Sequence, residues 1–174
     1  MEISDLLSPT DVMIDVSASD KSRLLRRLSR LAASALGLDP NHVSEQIAKR
    51  EELGSTGVGN GVALPHARLT GLKAPFGLLV RLRHAIDFEA IDDRPVDIVF
   101  LVLLPETADS TKPNALACVA RALRHPEALQ RLRHASDRET LYRAITERGV
   151  VSRRAASERA EAGGSARERE AGDP

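Results

Sequence analysis

The sequence predicts an α/β layered domain, and three observations carry that prediction. Apolar runs suited to strands, Val12 to Val16, Phe76 to Leu82 and Val96 to Leu104, alternate with stretches whose apolar residues recur at helical spacing. The run Val96 to Leu104, VDIVFLVLL, is nearly all apolar, as a strand buried on both faces should be. With 174 residues the chain is long enough to bury a core as one domain.

Taken in order, Glu2 to Ser8 is a short amphipathic opening of one helical turn. Val12 to Val16 is the first strand. Ser19 is expected to cap a helix in which Leu24, Leu25, Leu28, Leu31, Ala32 and Ala35 form the apolar face and Gly37 the stop. Arginines 23, 26, 27 and 30 take the opposite, solvated face. Asp39-Pro40 opens a second helix, a cap followed by proline at the first helical position, with Val43 and Ile47 buried. Arg50 stands in its last turn, where an arginine complements the helix dipole. Val62 to Leu64 reads as a very short buried strand ended by Pro65. Ala67 to Pro75 is expected to be a loop, and Phe76 to Leu82 a strand. Asp92-Asp93 marks a turn before the apolar strand. Asn114 to Leu123 and Pro126 to His134 follow as helices. Ser136-x-x-Glu139 is a capping-box pattern opening a last helix with Leu141, Tyr142 and Ile145 apolar.

From about Gly149 the composition shifts to Ala, Glu, Arg, Gly and Ser. Such a segment buries too little apolar surface to offset its ordering entropy. The expected organisation is therefore a folded domain over residues 1–148 and a disordered polar tail over 149–174.

Composition narrows the function. Lys plus Arg and Asp plus Glu both number 25, so formal net charge is zero, which argues against a nucleic-acid binder. The single cysteine, Cys118, allows no intrachain disulfide and fits a reducing compartment. No signal h-region or spanning apolar run is present, so the chain is expected to be cytoplasmic, without membrane insertion. His42, His84, His125 and His134 share no ligand spacing and read as surface or structural residues, so no metal site and no cofactor are expected.

The chemistry concentrates in Gly54 to Arg68, GSTGVGNGVALPHAR. Gly57, Gly59 and Gly61 permit backbone N–H groups to turn toward an anion, and His66 follows directly after Pro65. A P-loop is excluded, because Gly61 is followed by Val62 and not by Lys-Ser or Lys-Thr. The dinucleotide fingerprint is excluded, because Val62 stands where the third glycine belongs. A neutral imidazole, with an ordinary pKa of about 6.5, is a phosphoryl acceptor near neutral pH. Its bland alternative is a loop histidine in an ordinary glycine turn.

STGVGNGVALPHARL resembles the active-site signature of the EIIA domains of the bacterial phosphoenolpyruvate-dependent phosphotransferase system, nearest to the nitrogen-regulatory group. IDFEAIDDRPVDIVFLVLLPE, Ile86 to Glu106, is similar to a second segment of that family. The likeness spans roughly Leu6 to Glu147. It implies a mixed central β-sheet with helices on both faces, the mannitol/fructose-type EIIA fold. It implies that His66 accepts a phosphoryl group on Nε2 from an HPr-like carrier, that Arg50 lies beside it, and that the protein regulates unidentified partners by its phosphorylation state. In this reading Gly57, Gly59, Gly61, Arg50 and Lys112 would hold the phosphate. Lys112 falls, by ungapped counting, where family members carry a second histidine, a departure that keeps a positive charge but not a neutral acceptor. Two alternatives follow: a binding module of the same fold with little transfer activity, and the EIIA component of a sugar permease of the fructose/mannitol class.

Overall fold

A computed structural model describes residues 1–106 and 115–147 of the chain. After 3₁₀ turns at Ile3–Asp5 and Pro9–Asp11, the elements run β1 (Val12–Val16), α1 (Lys21–Leu36), α2 (Pro40–Glu52), β2 (Gly57–Gly59), β3 (Val62–Ala63), β4 (His66–Leu69), β5 (Phe76–Ile86), β6 (Val96–Pro105), α3 (Ala115–Leu123), α4 (Pro126–His134) and α5 (Arg138–Thr146). The expected tail at 149–174 and Lys112 lie outside the described residues.

The sheet is mixed. β1 pairs parallel with β5, and β5 pairs antiparallel with β6. The far edge of β6 is shared by two short parallel partners, β3 (Val62 beside Ile98) and then β4 (His66 beside Val102). β2 adds antiparallel outside β3. As its composition predicts, β6 is buried almost end to end. Leu24, Leu28, Val43 and Ile47 of α1 and α2 pack on one face, with Val80, Val99 and Leu101. Val119, Leu132 and Leu141 of α3 to α5 pack on the other, with Leu79, Ile98 and Phe100. Helices therefore cover both faces, as expected, and site residues are drawn from the β6 edge.

Four local expectations are corrected. α1 is capped by Asp20, whose carboxylate accepts from Arg23 N–H; Ser19 instead donates its hydroxyl to Asp20. α5 repeats the pattern, with Asp137 accepting from Thr140 N–H and Ser136 donating to Asp137. In both cases the carboxylate one residue closer to the helix is the stronger acceptor for the orphan N–H. The loop expected from Ala67 begins instead as a strand, His66–Leu69, because β6 extends beyond β3 and offers it a free ladder. The strand expected over Phe76–Leu82 runs on to Ile86 past an irregularity after Arg81. Arg81 donates to the carbonyls of Arg133 and Ala135, closing the C-terminus of α4, and pairs with Asp15 at 2.8 Å.

Candidate functional site

The glycine stretch is mostly a hairpin. Gly57 and Gly59 pair with Ala63 and Val62, and the two residues between, Asn60 and Gly61, have φ of 55° and 76°. Positive φ at both positions is the signature of a tight type I′ connection, which Asn-Gly supplies at the least steric cost. Asn60 N–H donates to the Asp92 carboxylate at 2.8 Å, and its carbonyl accepts from Arg133, which also grips Asp97 through two bonds. Gly57 approaches a neighbouring segment closely: a Cβ there would lie 2.7 Å from Cα and Cβ of Ala90. Its N–H already donates to Ser55 Oγ. Gly59 faces the Asp92 carboxylate.

Pro65 then manages a change of partner along β6. It has no N–H to give, but its carbonyl accepts from Val102 N–H at 2.9 Å. Leu64 turns its N–H away to the carbonyl of Thr56, also at 2.9 Å. The result is that His66 is the first residue of β4, paired in parallel with Val102 of β6.

Arg50 reaches this histidine from the last turn of α2. Its Nε donates to Nε2 of His66 at 3.0 Å, and its Nη1 donates to the carbonyl of Gly54 at 3.1 Å. Nδ1 of His66 lies 2.9 Å from the carbonyl of Leu64. A carbonyl only accepts and a guanidinium only donates, so the ring carries its proton on Nδ1 and its lone pair on Nε2. Burial of the half-buried imidazole pushes its pKa below the ordinary 6.5, and the Arg50 charge acts the same way; the Leu64 carbonyl and Glu51 oppose them without prevailing. The site therefore holds a neutral imidazole with one directed lone pair and a cation beside it.

Glu51, next to Arg50, points the other way. Its carboxylate accepts both the N–H (2.9 Å) and the hydroxyl (2.7 Å) of Thr56. Its side chain is only 8% exposed and is paired with Lys21 at 2.9 Å. Lys21 also bonds Glu89 at 2.6 Å and stands 5.0 Å from the Phe88 ring centre. Burial works against its charge, but the two carboxylates outweigh it and raise its pKa.

Of the residues expected at the site, His66 and Arg50 meet directly, whereas Gly57, Gly59 and Gly61 shape the hairpin that leads to them. Lys112 falls outside the described residues. The Leu64 carbonyl, Glu51 and Thr56 are participants that sequence reasoning missed; the acidic residue following Arg50 is the only signal the chain offers for them. Among the described residues no group of histidine, cysteine and carboxylate side chains is placed to hold a metal, and no helix is long and apolar enough to cross a membrane.

Residues 5–148 match the family described as phosphoenolpyruvate-dependent sugar phosphotransferase system, EIIA 2. The nitrogen regulatory protein of Bradyrhizobium diazoefficiens is 40% identical over 145 residues, covering 83% of this chain and 95% of the relative. That of Escherichia coli K12 is 40% identical over 149 residues, covering 84% and 91%. In structure, the nitrogen regulatory protein IIA-Ntr from Neisseria meningitidis superposes with a TM-score of 0.77 at 31% identity, over 83% of this chain and 99% of that one. Mannitol IIA from Escherichia coli shares the fold, with a TM-score of 0.66 at 15% identity over 79% and 97%.

Proposed function

The chain belongs to the EIIA 2 family of the phosphoenolpyruvate-dependent phosphotransferase system, in its nitrogen-regulatory branch, and we propose that it accepts a phosphoryl group on Nε2 of His66 from a phosphohistidine of an HPr-like carrier. The observation that carries this reading is the fixed tautomer: Nδ1–H is held by the Leu64 carbonyl and Nε2 keeps the lone pair.

Transfer needs in-line placement and neutralisation of charge. The Nε2 lone pair forms the new N–P bond as the carrier's N–P bond breaks and its electron pair returns to the carrier's imidazole. Positive charge growing on the His66 ring is stabilised through Nδ1–H and the Leu64 carbonyl, so no proton leaves. Once Nε2 is bonded to phosphorus, Arg50 Nε–H loses its acceptor and turns to the phosphoryl oxygens, for which its planar fork is suited. Lys112, by its position in the resemblance, is proposed as a further cation for those oxygens. Gly57, Gly59 and Gly61 are proposed to serve the phosphate by shaping the hairpin that leads to His66, the Gly57 N–H being already bonded to Ser55 Oγ.

The phosphotransfer unit is proposed to be residues 1–148, with 149–174 dispensable for transfer, and the cytoplasm is the proposed place of work. The regulated partners are proteins that distinguish the phosphorylated from the unphosphorylated surface around His66. Incubation with phosphoenolpyruvate, the system's first enzyme and its carrier tests the reading. The intact mass should rise by one phosphoryl group that is lost in acid and kept in base, as a phosphoramidate is. The reading fails if no such group is gained.

A further inference from the structure

Both nitrogens of the His66 ring are governed from one turn of α2. Arg50 addresses Nε2 directly. The route to Nδ1 is longer and starts at the next residue. The Glu51 carboxylate takes the N–H and hydroxyl of Thr56; the Thr56 carbonyl takes Leu64 N–H; the Leu64 carbonyl takes the imidazole proton. Every link is between 2.7 and 2.9 Å. Together with the Arg50 bond, the links close a ring of hydrogen bonds that begins and ends on adjacent residues of one helix. Two oxygens on one threonine fix its peptide plane, and so the direction of its carbonyl, more tightly than one would.

We infer that Glu51 is a positioning residue for His66: by clamping Thr56 it orients Leu64, and so sets which ring nitrogen carries the proton and which faces the incoming phosphorus. Lys21 is its supporting counter-charge. A carboxylate this buried costs free energy unless it is paired, and Lys21 pairs it from α1 while remaining bonded to Glu89. The role of Glu51 in transfer rests on the reading of His66 as acceptor; its role in fixing the tautomer does not.

Two variants separate geometry from charge. Glu51→Gln removes the charge but keeps the reach: the amide oxygen accepts from Thr56 N–H, and the amide nitrogen donates to the threonine hydroxyl. Glu51→Asp keeps the charge but is one methylene short of spanning both groups. Lys21 retains Glu89 in either variant. The experiment combines imidazole ¹⁵N NMR of His66 in the unphosphorylated full chain with the rate of phosphoryl uptake from phosphorylated carrier. Glu51→Gln should keep the Nδ1–H tautomer and a rate near wild type. Glu51→Asp should show a mixed tautomer and uptake slowed by about 10- to 100-fold, the effect of displacing a reacting group by around an ångström. A wild-type tautomer and rate in Glu51→Asp overturns the inference. So does the reverse order, with Glu51→Asp better than Glu51→Gln, because it would make Glu51 a source of charge and nothing more. If the tautomers follow the predicted order while no chain takes up phosphate, the positioning role stands and the acceptor reading falls.

Discussion

Arg50 and His66 are sixteen residues apart, on α2 and β4, and meet through a single bond of 3.0 Å from Nε of the guanidinium to Nε2 of the imidazole. That bond occupies the Nε2 lone pair, and the Arg50 charge helps to keep the ring unprotonated. In the proposed transfer Arg50 is displaced from the lone pair onto the phosphoryl oxygens.

Arg50→Ala should slow phosphoryl uptake by about a hundredfold, the loss typical of one directed donor to a transferring group. Arg50→Lys should recover only part, since an ammonium lacks the fork. Stopped-flow uptake on the three proteins measures this. Because Arg50 also holds the His66 pKa down, Arg50→Ala should raise it in an NMR titration.

The pH dependence has a fixed sign. His66 titrates below its ordinary 6.5 in the folded protein, through burial first and Arg50 second. As pH falls through 6.5 the unfolded chain binds the proton first, so the fold loses stability from there down through the folded pKa and no further below it. His66→Ala should lack this component in denaturant titrations at stepped pH. Phosphoryl uptake should accordingly hold its rate to below pH 6.5 before falling.

Gly57→Ala tests the hairpin. The added methyl would sit 2.7 Å from the Ala90 backbone, which has no flexible end to yield. Destabilisation of about 1–3 kcal/mol is expected, as for other overpacked sites, measured as a lower denaturation midpoint.

Truncation after Arg148 should leave thermal stability and phosphoryl uptake unchanged, since the family match ends at residue 148. A clear loss of either would place the tail within the working unit.

Much of this fold is written locally. β1 and β6 follow from unbroken apolar runs, and α2 from its Asp-Pro start. β4 does not, because Pro65 signals an end and only pairing with β6, more than thirty residues on, turns HARL into a strand. The β2–β3 hairpin was within reach: Asn60-Gly61 between Gly59 and Val62 is the turn that such strands favour, but three residues of GVG carry no alternation to announce a strand. At the site, His66 and Arg50 are legible through motif and helix position. The Glu51 clamp is not, since Lys21 reaches Glu51, and Glu89 reaches Lys21, only after α1, α2 and the 87–90 segment have packed.

The most direct test of the central claim is ¹⁵N NMR of the phosphorylated protein, resolving both His66 ring nitrogens and their coupling to phosphorus. The predicted result is phosphorus coupled to Nε2 with Nδ1 still protonated, and no phosphate on His66→Ala. Phosphorus on Nδ1, or equal phosphorylation of His66→Ala, would contradict it.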